Sequence, residues 1–110
     1  MNNIHWDNLF NTLGENIAKL ANETINSYAT SAIEDAQAFL DETRTAIKEW
    51  TILYGQGHIS KEDFKDLLLG QKDLMKMNAL KQAGMAQITI DKFRNDLVET
   101  LVNTISGAIF

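Results

Sequence analysis

The chain has 110 residues, with 15 acidic and 10 basic side chains and a formal net charge of −5. It contains no Cys, which excludes disulfides, zinc–thiolate sites, iron–sulfur clusters and thiol nucleophiles. It also contains no Pro, so long uninterrupted helices are permitted, and its acidity argues against a nucleic-acid partner or an anionic membrane surface.

The length fits one domain, residues 1–110, with a modest core that needs no staples. The N-terminal residues lack a basic segment followed by an apolar stretch, so no signal peptide is expected. No apolar run approaches the ~18 residues of a membrane span. A cytoplasmic chain without integral membrane association is therefore expected. Asn22-Glu23-Thr24 matches a glycosylation sequon, a pattern too short to weigh by itself.

The first predicted element covers residues 4–54. Trp6, Phe10, Leu13, Ile17, Leu20, Tyr28, Phe39, Ile47, Trp50 and Tyr54 recur mostly in steps of three and four. That is one apolar stripe on a helix. A continuous rod would be roughly 75 Å long at 1.5 Å per residue. The stripe is weakest at Asn26, Ser27, Thr30 and Ser31, whose short polar side chains compete for backbone hydrogen bonds. A bend or break there is the alternative to a single rod. Gly14 costs about 1 kcal/mol in a helix interior, so the first turns are expected to fray or stand apart. Ala21, Ala29, Ala32, Ala36 and Ala38 allow close helix approach but bury little area each.

The predicted turn is residues 55–60. Gly55 and Gly57 end the first arm, and Ser60 is the expected N-cap of the next, with Asp63 in the third helical position. Ile59 is placed to staple against Phe64. The turn shares its glycine-x-isoleucine spacing with the back half of a calcium-binding EF-hand loop. The required carboxylates are missing: the corresponding positions hold Ile52, Tyr54 and Gln56, and Asp63 stands where a bidentate Glu is needed.

A second helical arm is predicted over residues 61–110, with possible interruptions near 70 and 84. Phe64, Leu67 and Leu68 form its first apolar face, and helical spacing resumes through Lys72, Leu74, Met77 and Leu80. Beyond Gly84, Met85, Ile88, Phe93, Leu97, Leu101, Ile105 and Ile109 keep a helical period. The β-branched run Ile88-Thr89-Ile90 is read as helix, because Asp91, Lys92 and Arg94 follow at helical positions.

The expected fold is all-α: a long antiparallel helical hairpin that completes a four-helix bundle or coiled-coil-like assembly by oligomerisation. Breaks near residues 26–31 and Gly84 would instead fold the chain into its own bundle. Residues 1–54 carry a net charge of −5 and residues 55–110 a net charge of zero. In a hairpin, Lys61, Lys65, Lys72, Lys76 and Lys81 are expected beside Asp41, Glu42 and Glu49.

No chemistry-bearing motif emerges. His5 and His58 are the only histidines, and His58 with Glu62 lacks a third ligand. No Glu-x-x-His pair, nucleophile elbow, phosphate loop or dinucleotide-binding glycine pattern is present. A non-enzymatic protein without cofactor or metal is expected. The apolar last stretch either pairs with Phe10 and Leu13 in the chain's own core or meets a partner; the interface candidates are Phe10, Leu13, Met75 and Met77, together with Leu97, Leu101, Ile105, Ile109 and Phe110 of that stretch. The methionines offer an adaptable surface. The expected partner is a second copy or a helical protein, with no nucleic acid and no peripheral membrane contact. The leading function is structural self-assembly through apolar helix faces; the alternative is a small helical module binding a peptide or protein.

Overall fold

The computed structural model describes residues 4–71 and 76–110. Its elements are α1 (Trp6–Thr24), a 3-10 turn (Asn26–Tyr28), α2 (Ala29–Gly55), α3 (Lys61–Leu69), α4 (Asn78–Gln82) and α5 (Gln87–Ile109). The fold is all-α, with every described element helical.

The first arm is not a rod. Ile25 leaves the helical region at φ −140°, ψ 54°, and one 3-10 turn follows. The residues before the break weaken it locally. Thr24 Oγ1 donates to the Leu20 carbonyl at 2.7 Å, and Asn22 Nδ2 donates to the Ala18 carbonyl at 2.8 Å. Such back-bonding competes with continuation of the helix. Of the four polar residues flagged in sequence, Asn26 and Ser27 fall in the break, whereas Thr30 and Ser31 lie inside α2. Gly14 does not interrupt α1.

The break turns α1 back along α2 and α5. Asn16 Nδ2 donates to Thr104 Oγ1 at 2.8 Å, while Thr24 and Ile25 share a cleft with Thr89 and Lys92. The two helices are therefore antiparallel. Tyr54 bonds Ser106 at 3.1 Å, and Tyr28 faces Met85, so α2 and α5 run parallel. α3 and α4 return along the remaining side, against both α2 and α5. The result is an up-down-up-down bundle whose third position is filled by two short helices. One chain supplies the four positions that the hairpin reading assigned to two. The hairpin with a 4–54 arm is thus corrected: folding α1 back buries its stripe within the chain, and the longest dimension is 43 Å.

Burial follows the 3.6-residue period. Leu13, Ile17 and Ala21 of α1 join Ala32, Ala36, Phe39 and Ile47 of α2 and Ile90, Phe93, Leu97, Leu101 and Ile105 of α5 in one core. Phe64 and Leu68 close it from α3, and Leu80 from α4.

The glycines act as terminators where φ is positive. Gly57 (φ 80°) follows α2: its N–H donates to the Tyr54 carbonyl at 3.1 Å, and that of His58 to Leu53 at 2.9 Å. Gly84 (φ 90°) repeats the pattern after α4, with Gly84 donating to Lys81 and Met85 to Leu80. Both are Schellman caps, in which a left-handed residue satisfies the last carbonyls. Gly55 is the final residue of α2 itself. Ser60 Oγ accepts from the Asp63 N–H and Asp63 Oδ2 accepts from the Ser60 N–H, both at 3.0 Å, completing a capping box with Asp at its third position. Ile59 is half-buried against the core.

The lysine–acid complementarity is also corrected. Among the described residues, the ion pairs are Arg44–Asp7 and Arg94–Asp91, and none joins Lys61, Lys65, Lys76 or Lys81 to Asp41, Glu42 or Glu49. α1 occupies the flank of α2 that the second arm was expected to take, so Asp41 lines a groove facing α1. Lys72 lies outside the described residues, as does Leu74.

Candidate functional site

The proposed interface residues separate into two groups. Phe10, Leu13, Met77, Leu97, Leu101 and Ile105 are buried in the chain's own core. Ile109 is half-buried, and Phe110 is 75% exposed with its ring edge-on to Tyr54 at 5.1 Å. Met75 lies outside the described residues. The apolar faces assigned to an interface are therefore largely spent inside the bundle. Other exposed large apolar side chains are Ile52, Leu53 and Ile88, the last 80% exposed. Ile88 and Phe110 stand at opposite ends of α5 and form no common patch. No helix among the described residues is long and apolar enough to cross a membrane.

His5 shares a cleft with one acid, Asp7, and neither histidine joins a larger acidic cluster among the described residues. His5 precedes α1, and His58 sits in the turn before Ser60, off the α3 face that carries Glu62. Among the described residues, no group of three or more His, Cys, Asp or Glu side chains is placed to hold a metal ion.

What the fold does create is a groove of about 630 Å³ between α1 and α2. Phe10 and Leu40 form its buried floor. Gly14 and Ala18 form a low wall on α1, and Gln37 and Asp41 face them from α2. A Cβ built on Gly14 would meet nothing within 4 Å, so the chain's own packing does not require glycine there. Glu15 and Asp41 are exposed carboxylates on opposite rims. Arg44 closes one end: its guanidinium lies 4.2 Å from the Phe10 ring centroid and 3.2 Å from Asp7 Oδ1. The sole guanidinium of the lining is thereby engaged within the chain, and the free charge along the groove is negative.

Two smaller open clefts lie at a chain end and a corner. One of about 400 Å³ lies at the α1–α2 corner, lined by Ile25, Tyr28, Met85, Ala86 and Thr89 among others. Another of about 520 Å³ lies beside Ile4, Trp6 and Lys48. The first is lined by no carboxylate or histidine; the second carries His5 and Asp7 but no second acid.

The groove was missed in sequence because Gly14 reads there only as a helix weakness. Its signal was present: a mid-helix glycine four residues before Ala18, beside an acidic Glu15. The α2 wall has no such signal, since Asp41 and Arg44 become neighbours of α1 only after the break at Ile25. No protein-family model matches the chain, and neither a curated protein nor a solved structure was found to be similar to it.

Proposed function

We propose that this chain is a non-catalytic helical binding module that seats a basic amphipathic helix of a protein partner in the α1–α2 groove. Gly14 is the observation that carries the reading. A glycine inside a helix costs about 1 kcal/mol relative to alanine. Nothing among the described residues touches the missing Cβ, so no internal contact there recovers that cost. A backbone left bare over an open groove suits the close approach of a second helix. Helix-in-groove recognition uses an apolar anchor on a floor such as Phe10–Leu40, with charge at the edges. Glu15 and Asp41 supply negative edges, and the half of the chain that builds the groove carries a net −5. A partner with flanking lysines or arginines is complementary; an acidic one is repelled.

The test is a titration of the isotope-labelled full chain with two synthetic amphipathic helical peptides, one of lysine and leucine, one of glutamate and leucine. The expected result is chemical-shift change confined to residues 10–18 and 37–44 with the lysine peptide alone. Gly14→Leu fills the groove, keeps the fold and weakens binding at least about tenfold, by the loss of one apolar anchor site. Shifts centred on α3 or the end of α5, or equal response to both peptides, would overturn the reading.

Self-association is the second reading, favoured by exposed Ile88 and Phe110. It would join chains at the ends of the bundle rather than through the core faces.

A further inference from the structure

We propose that α4 is a releasable cover, latched by Asp35, that uncovers one side of α2 while the rest of the bundle stays folded. This goes beyond the groove reading and uses the opposite flank of α2. Helix α4 has only five residues, too few to be stable alone. Its first residue follows Met77, which is buried and held at φ 54°, ψ 40°, a left-handed conformation that a non-glycine residue adopts at a cost. Met77 makes no side-chain cap. The cap comes instead from α2: Asp35 Oδ1 accepts from the Ala79 N–H and Asp35 Oδ2 from the Leu80 N–H, each at 2.9 Å. Both carboxylate oxygens are committed to free helical N–H groups, the anion-at-N-terminus arrangement of a charge-assisted pair.

The other end of α4 is Gly84, at φ 90°, with nothing within 4 Å of where a Cβ would stand. The segment thus lies between two left-handed residues and is held by one carboxylate and a few buried side chains, chiefly Leu80. Ala32 and Phe39 lie three residues before and four residues after Asp35, on the same side of α2, and both are fully buried. Release of α4 exposes that apolar side without unpacking α1 from α5. Short, strained elements with few buried anchors are the ones that open locally at less than the global cost.

The experiment is backbone hydrogen exchange, read by mass spectrometry on the full chain, with binding of a naphthalene-sulfonate dye as the readout of uncovered apolar surface. In the unmodified chain, residues 78–85 are expected to exchange faster than the cores of α1 and α5. Asp35→Asn, which retains only one strong acceptor, accelerates exchange there by roughly tenfold to a hundredfold. It increases dye binding and leaves protection of α1 and α5 unchanged. Gly84→Ala strains the closed conformation from the other end and gives the same local signature, whereas Lys81→Ala on the exposed face gives none. Unchanged exchange in Asp35→Asn would overturn the latch. Faster exchange throughout the chain, or failure of both variants to fold, would overturn the separability of α4.

Discussion

Thr51 lies on the inner face of α2, fully buried, and its Oγ1 has no hydrogen-bond partner. The contrast is Thr43, two turns earlier, whose Oγ1 donates to the Phe39 carbonyl at 2.6 Å. A buried hydroxyl without a partner loses its hydration and gains nothing in return. Thr51→Val keeps the shape and removes the polar atom. It is expected to raise unfolding stability by about 0.5–1.5 kcal/mol in a denaturant titration, and a loss of stability would show that the hydroxyl is satisfied in solution. Gly14 makes the complementary case. Gly14→Ala is expected to add about 0.5–1 kcal/mol, because the helix gains propensity and no atom is displaced. A gain in stability together with weaker docking of the lysine–leucine peptide separates a site kept open for a partner from an accident of helix composition.

Among the elements, α3 has the most fully formed start. Its capping box joins Ser60 and Asp63 through two bonds, and Glu62 and Asp63 lie near the positive end of the helix. Ser60→Ala is expected to cost about 1 kcal/mol, measured by chemical unfolding; an unchanged midpoint would mean that packing of Phe64 and Leu68 alone fixes the helix. This start was legible in sequence because a cap depends on residues three apart. Helix content, the turn at Gly57 and the end at Gly84 were legible for the same reason. The polar run at residues 26–31 marked a weak point, but the choice between rod and break lay elsewhere. It depends on whether α1 gains more by packing on α5, more than sixty residues away, than by extending α2. The docking of α4 is further from local reach. Asp35 and Ala79 are 44 positions apart, and nothing around Asp35 distinguishes it from its neighbour Glu34 until the fold brings it to the N–H groups of α4. The groove follows the same logic, since Glu15, Asp41 and Arg44 share a surface only after α1 turns back.

In the molecule as a whole, the described core closes within one chain. Three long helices and the broken fourth, α3 with α4, bury the apolar stripes that would otherwise require a second copy. Leu97, Leu101 and Ile105 are consumed by α1, α2 and α3 rather than offered to a neighbour. Among the described residues, the exposed large apolar side chains are few, with Ile88 at the far end of α5 from Phe110, and the uneven charge between the halves leaves the α1–α2 side acidic, which opposes pairing of that face with its own copy. Light scattering coupled to size-exclusion chromatography tests this directly across a wide micromolar range of protein. The predicted mass is that of one chain, 12.4 kDa, at every concentration. A mass of twice that value, persisting on dilution, would contradict it.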